Sequence, residues 1–505
     1  MRLPTLTRRG FVAGSAAMAG LHALRSVGAT PEDAYDVIVV GAGTGGVPTA
    51  LFAAQNGAKV LLIEKAPMIG GTLHWSTGQI AGSGTVFQRR LGIEDSPEAH
   101  YEDCMRINHS SADPALTRLT VDHAGAMINW LADRGYTVID GHPVTGLGHD
   151  HFKVRRYMEG VQSGLSILHA FEPQLQAQIA AGRVTLMLET EVVELMQDPG
   201  SHAIVGVVAR GQEGGMRDLR APHTVLATGG CASNPRLFED LHGVPLYAQA
   251  AYPTSTGQGL LLGLSAGGTL RGGDKYACLP GYIVREHRYP STMHAYAPLH
   301  PRLRQPWEIL VNVHGERFVQ EDNPSVNHIE YGIAEQPGHR HWAIYDQAML
   351  TQSSPIIPDW SIDRLSQEHS RHAMFHRADT VEQLALQAGV NPRNLISTVA
   401  SYNDALARGD ADPFGRTHRP LPITEAPFYA IEMQGWTLVS FAGLDVNPRL
   451  QVLNGDRQPI DGLYALGEVL GAGATSGRAY TNGMLVTPAI TFGRWLGERL
   501  AAGKS

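Results

Sequence analysis

The sequence predicts an α/β fold, and three observations carry the prediction. Tyr35-Asp36-Val37-Ile38-Val39-Val40 is a nearly unbroken β-branched run, which reads as a buried parallel strand. Gly41-Ala42-Gly43-Thr44-Gly45-Gly46 follows at once and opens a helical stretch, Val47–Asn56, that Gly57 closes. A second strand, Lys59–Ile63, then ends at Glu64. Strand, glycine turn, helix, strand and acid stand in the order and spacing of a Rossmann-type βαβ unit. Gly41 makes the tight turn, Gly43 lets the backbone approach a pyrophosphate, and Gly46 allows close helix packing. The helix N-terminus offers free N–H groups and a dipole to the phosphates. Glu64 is spaced for the ribose hydroxyls.

A chain of 505 residues is long enough for two or three domains with sizeable cores. With 43% hydrophobic and 17% charged residues, it has the composition of a globular protein. The formal charge of -8 argues against nucleic acid as a partner, since such binders carry a basic excess. The 57 glycines cluster in short motifs, as expected where tight turns face a ligand. Cys104, Cys231 and Cys278 are too few and too scattered for a disulfide framework. Neither C-x-x-C nor C-x-x-C-H occurs, so no metal site and no haem attachment is expected.

The first 29 residues read as an export signal. Arg8-Arg9-Gly10-Phe11 is followed by a small, moderately apolar stretch, Val12–Leu24, and then by Val27-Gly28-Ala29. The arginine pair resembles a twin-arginine signal, although Ala13 stands where a lysine is common. The stretch is too short to span a bilayer. The expectation is a periplasmic protein handed folded to the twin-arginine machinery.

Further motifs follow in order. Gly70-Gly71-Thr72 and Trp75-Ser76-Thr77-Gly78 come after the acid. A strand pair, Val184–Leu188 and Ala203–Val208, leads to Thr224-Val225-Leu226-Ala227-Thr228-Gly229-Gly230. Thr256-Gly257-Gln258-Gly259, Arg317-Phe318-Val319-Gln320-Glu321 and Asp412-Pro413-Phe414-Gly415-Arg416 come next. Asp461-Gly462-Leu463-Tyr464-Ala465-Leu466-Gly467-Glu468 and Thr491-Phe492-Gly493-Arg494 complete the series. Together, from about Tyr35 to Leu500, they resemble the flavoprotein family of fumarate reductase, succinate dehydrogenase and 3-ketosteroid dehydrogenase.

The resemblance implies a Rossmann-type FAD-binding domain in two segments, 33–250 and 425–505. An α+β capping domain, 251–424, is inserted between them and closes over the flavin. Residues 363–410 read as helical, with Thr380 capping Val381–Ala388 and Gly389 ending it. The implied FAD contacts are Gly41, Ala42, Gly43, Gly46, Glu64, Lys65, Gly71, Thr72 and Ser76. Val192, Thr228, Gly229, Gly467, Glu468, Gly483, Leu485 and Val486 complete the set. Covalent relatives carry a histidine just after the Gly-Gly pair; Thr72 stands there and His74 lies two residues on, so non-covalent FAD is expected.

The catalytic pattern departs from the fumarate reductases, which hold a dicarboxylate between histidines and arginines. Carried over position by position, the first histidine becomes Leu279 and the acid arginine becomes Ser325. The second histidine falls near Leu438 or Val439, and the C-terminal arginine becomes Tyr480. A dicarboxylate buried there would lack partners, at a cost of several kcal/mol. Ser476-Gly477-Arg478-Ala479-Tyr480-Thr481-Asn482-Gly483 looks closer to the ketosteroid dehydrogenases, where a tyrosine polarises a ketone beside the flavin. Tyr480 is therefore the first candidate for that role. Ser325 takes the position above the flavin, and His328, with Asn327, is a candidate base acting through a water. The run from Arg285 to Arg304, with His287, His294 and His300, is either a binding rim or a solvated surface. Trp130 and Met158 read as core.

The function expected is FAD-dependent oxidation of a CH–CH bond next to the carbonyl of a neutral or hydrophobic ketone. A base takes the α proton and flavin N5 takes the hydride. Electrons would pass to an external partner: a quinone, a cytochrome or oxygen. The alternatives are an enone or enoate reductase and an electron-transfer flavoprotein without its own substrate.

Overall fold

The computed structural model describes residues 34–248 and 250–502. The expected export signal lies outside the described residues.

The first β-branched run forms the strand Val37–Val40, buried along its whole length. It sits inside a six-stranded sheet in the order Gln451–Leu453, Pro459–Ala465, His223–Leu226, Val37–Val40, Val60–Ile63, Val184–Met187. Four of the five pairings are parallel, and the edge strand Gln451–Leu453 runs antiparallel. A strand covered on both faces has no polar side to show, which is why these segments are continuously apolar.

The helix after the glycine turn, Gly46–Gln55, is buried along nine of its ten residues. It packs against the C-terminal helix Val486–Ala502. Gly493 and Gly497 make that approach possible: a Cβ on either would lie 2.6 Å from a backbone oxygen of the glycine-turn segment, Gly45 or Thr49. Trp130 stacks on Phe171 and Met158 is fully buried, so both are core.

The two runs expected to pair, Val184–Leu188 and Ala203–Val208, do not. Val184–Met187 joins the parallel sheet, whereas Ile204–Arg210 is the middle strand of a separate sheet between Glu191–Gln197 and Met216–Arg220. The local turn decides the partner: Asp198 Oδ1 accepts from the N–H groups of Gly200 and Ser201 and folds the chain into a hairpin.

A second unit is wholly antiparallel. Its sheet runs Met293–Tyr296, Leu279–Val284, Phe428–Trp436, Arg340–Asp346, Ile309–Val311, with Phe375–Ala378 also paired to Phe428–Trp436. Helices Val326–Ala334, Val381–Ala388 and Pro392–Arg408 accompany it. Its limits are narrower at the start and later at the end than the expected 251–424. Phe428–Trp436 is its central strand, so the chain leaves this sheet only after Trp436. Leu270–Arg271 pairs with Gly443–Leu444, so the segment after 251 still belongs with the first unit. Hydropathy marks a strand but does not name the sheet it joins. Within 363–410, the segment Phe375–Ala378 is strand rather than helix. Thr380 does cap Val381–Ala388 through Gln383 N–H, and Gly389, at φ 68°, ends it.

Candidate active site

The carboxyl ends of the parallel strands open onto one cavity of about 520 Å³, with Val40, Ile63, Ala227 and Leu466 on its wall. This is the ligand position expected for a doubly wound sheet. Its floor is the glycine turn. A Cβ on Gly41, whose φ is +99°, would lie 2.5 Å from Ala227 O, and one on Gly46 would lie 1.8 Å from Gly41 O. These two glycines are demanded by the protein's own backbone. Gly43 is different: its Cβ would meet only Gly71 Cα, at 3.9 Å. A side chain at 43 would project into the cavity, so glycine there keeps room for a group lying against the main chain, as a pyrophosphate does.

Glu64 stands at the end of its strand and accepts the N–H groups of Ala42 and Ala66, each at 2.8 Å. Lys65 donates to Thr256 Oγ1 at 3.1 Å, and burial lowers its pKa. Gly71, Thr72, Ser76, Val192, Thr228 and Gly229 reach the cavity wall, as do Gly467, Glu468, Gly483, Leu485 and Val486. Ala42 and Gly46 stand behind the wall, one bonded to Glu64 and the other against Gly41. Thr72 Oγ1 lies 3.0 Å from Thr44 Oγ1, while His74 turns away to Ile69 O. Glu468 accepts from Ser440 N–H at 3.0 Å, and burial pushes its carboxyl up to about 7. A cradle for phosphates, an acid at the ribose position and an apolar hollow beyond fit a bound FAD.

At the other end stands Tyr480, 8% exposed. Its hydroxyl lies 2.6 Å from Thr437 Oγ1 and its ring stacks on His149, with centroids 5.1 Å apart at 28°. Burial raises the phenol far above its ordinary pKa and keeps it protonated. His149 Nδ1 lies 2.8 Å from Glu330 Oε1, on a side chain 2% exposed. Leu279, Leu438 and Val439 complete this wall, so all the substituted positions except Ser325 face one space.

Ser325 and His328 do not reach that wall. Ser325 is the N-cap of Val326–Ala334; its hydroxyl donates to Asp150 Oδ2 at 2.7 Å. His328 Nε2 accepts from Gln320 N–H, and burial lowers its pKa. Asn327 Oδ1 accepts from Asp150 N–H, and Asn482 Nδ2 donates to Asp150 O. Ser325, Asn327 and Asn482 together hold the loop that carries His149. Nor does the run from Arg285 to Arg304 line this cavity: Arg304 pairs with Glu308 and His294 with Glu368. Arg317 and Glu321 form a buried ion pair that also takes in Asp412, so that motif holds the second unit together. His149 had no sequence signal beyond a glycine-flanked loop; only the fold brings it to Tyr480.

The sequence matches the FAD binding domain family over residues 36–481. The chain belongs to this family. It is 28% identical to a fumarate reductase (cytochrome) of Shewanella frigidimarina over 480 residues, covering 94% of this chain and 78% of that protein. It is 27% identical to a vinyl phenol reductase of Lactiplantibacillus plantarum over 459 residues, 86% of this chain and 90% of that protein. The open conformation of a flavocytochrome c3 fumarate reductase superposes with a TM-score of 0.63 at 26% identity, over 98% of this chain and 81% of that one. A 3-ketosteroid delta1-dehydrogenase from Sterolibacterium denitrificans shares the fold, with a TM-score of 0.69 at 20% identity over 93% and 100%. The protein is thus an FAD-dependent oxidoreductase related to the fumarate reductases.

Proposed function

We propose that the enzyme dehydrogenates the α,β carbon–carbon bond of a neutral, largely apolar ketone. The observation that carries this is the wall of Leu279, Leu438, Val439 and Tyr480, which stand where carboxylate handles would be needed. An apolar wall carrying one phenol, with the His149 imidazole stacked beside it, suits a ring bearing a single carbonyl. FAD, when bound, supplies the acceptor for the hydride. Tyr480 donates to the carbonyl oxygen and stabilises the negative charge that develops there. Thr437 fixes the phenol's position from behind.

The same reading covers four finer points. FAD is held without a covalent bond, because Thr72 faces the cavity and His74 does not. The antiparallel second unit acts as the cap. The chain is exported by the twin-arginine route. Electrons leave to an external quinone, cytochrome or oxygen.

A second reading, reduction of the C=C bond of an enone or enoate, is supported by relatives named as reductases of unsaturated compounds, a fumarate reductase and a vinyl phenol reductase. One anaerobic experiment separates the two. Bleaching of the oxidised flavin band by cyclohexanones or 3-ketosteroids supports dehydrogenation. Reoxidation of the dithionite-reduced enzyme by an unsaturated ketone alone supports reduction. Reoxidation by fumarate at a comparable rate overturns the neutral-substrate reading.

A further inference from the structure

His149 was not among the residues that sequence patterns select, yet it lines the cavity beside Tyr480 and is bonded to a buried carboxylate. We propose that His149 Nε2 is the group that exchanges the α proton with the substrate, with Glu330 as the positioning residue that orients the imidazole. The proposal rests on the ketone reading above.

Three observations lead there. The imidazole and the phenol are stacked, so their polar atoms come from neighbouring rings on one wall. In a ketone the α carbon lies about 2.4 Å from the carbonyl oxygen, given the C=O and C–C bond lengths. A residue that takes the α proton must therefore sit close to the residue that holds the oxygen, and His149 is the titratable neighbour whose ring packs on Tyr480 across the cavity wall. Second, Nδ1 is engaged by Glu330 Oε1, and among the described residues Nε2 makes no hydrogen bond. A carboxylate at Nδ1 fixes the tautomer and stabilises the imidazolium that forms. Third, Glu330 Oε2 is buried without a partner among the described residues, so the hydrogen bond to His149 Nδ1 is the contact that engages this side chain. Other titratable groups facing the imidazole are Tyr480 and His300, and Asp150 follows it in the chain.

The atoms balance as follows. In dehydrogenation the α C–H bond breaks and its proton goes to Nε2. The electron pair left on the α carbon becomes the new C=C bond as hydride leaves the β carbon for the flavin. In reduction both transfers run backwards, and Nε2–H gives the proton.

The test uses His149→Gln and Glu330→Gln in the full chain loaded with FAD. Flavin reduction by a ketone that the wild type oxidises is expected to slow on the order of 100-fold in His149→Gln, with flavin content unchanged. Glu330→Gln is expected to move the pH profile of the same step to lower pH. In the flavin-free protein, ring-nitrogen NMR is expected to show the His149 titration displaced to lower pH by Glu330→Gln. A His149→Gln rate within twofold of wild type, with Tyr480→Phe still slow, overturns the proton role and leaves the ketone reading standing. An unmoved NMR titration overturns the coupling whatever the substrate is. Where His149→Gln folds poorly, His149→Asn takes its place.

Discussion

The Tyr480 phenol and the Thr437 hydroxyl lie 2.6 Å apart, and Thr437 Oγ1 is also 2.9 Å from Val439 O. Threonine has one proton to give. When it goes to Val439, Tyr480 must donate to Thr437; when it turns to Tyr480, the phenol proton is free for a substrate carbonyl. Tyr480→Phe is therefore expected to keep FAD and the fold while slowing flavin reduction by about 100-fold, the loss typical of a missing oxyanion donor. Thr437→Val is expected to cost about tenfold, the worth of one neutral hydrogen bond. Stopped-flow absorbance of the flavin checks both, and an unchanged Tyr480→Phe rate removes the phenol from the chemistry.

Two glycines of one turn should respond differently to a side chain. A Cβ on Gly46 strikes Gly41 O at 1.8 Å, so Gly46→Ala should lower the thermal midpoint and the yield of folded protein. Gly43 has open space, so Gly43→Val should fold and yet lose the yellow colour, because the valine occupies the phosphate cradle. Circular dichroism melts beside flavin absorbance distinguish the two. A yellow Gly43→Val protein would show that the cofactor does not lie against that residue.

What was legible in the sequence was what lies close together along it. The first βαβ unit is one continuous run, so its turn, helix and acid can be read from neighbouring residues. The Thr380 cap and Gly389 stop are equally local. His149 and Glu330 are 181 residues apart, and no periodicity links them. Ser325 kept the family position but turns out to cap a helix and hold Asp150, because a position in an alignment says nothing about where a short side chain points. The second unit's limits moved because Phe428–Trp436 finds its partners across the chain.

The Arg317 cluster predicts a structural phenotype. Its guanidinium meets Glu321 at 2.6 Å and Asp412 at 2.7 Å, and all three side chains are at most 5% exposed. Arg317→Ala leaves the buried Asp412 without its guanidinium and Glu321 with only Arg416, 3.5 Å away, at a cost of about 3 kcal/mol. The expected result is a large drop in thermal midpoint with FAD still bound in whatever protein folds. A variant that melts like the wild type would show the cluster to be energetically idle.

Glu468 gives a pH prediction with a definite sign. Its carboxyl is raised from an ordinary 4.5 to about 7 because it is enclosed beside the cavity. A carboxyl held protonated in the fold contributes fully below pH 4.5. That contribution is lost as the pH rises to about 7, a fall of up to about 3 kcal/mol. Buried histidines work against this in the same window: His242, His341 and His369 are lowered to about 4, 3 and 3, so they cost stability as the pH falls. The total curve therefore mixes opposite slopes, and the difference between two proteins isolates one of them. Glu468→Gln keeps an acceptor for Ser440 N–H and removes the titration. Its thermal midpoint relative to wild type is expected to rise between pH 4.5 and 7 and to level off above. Parallel curves for the two proteins across that window would mean that Glu468 ionises as an ordinary carboxyl.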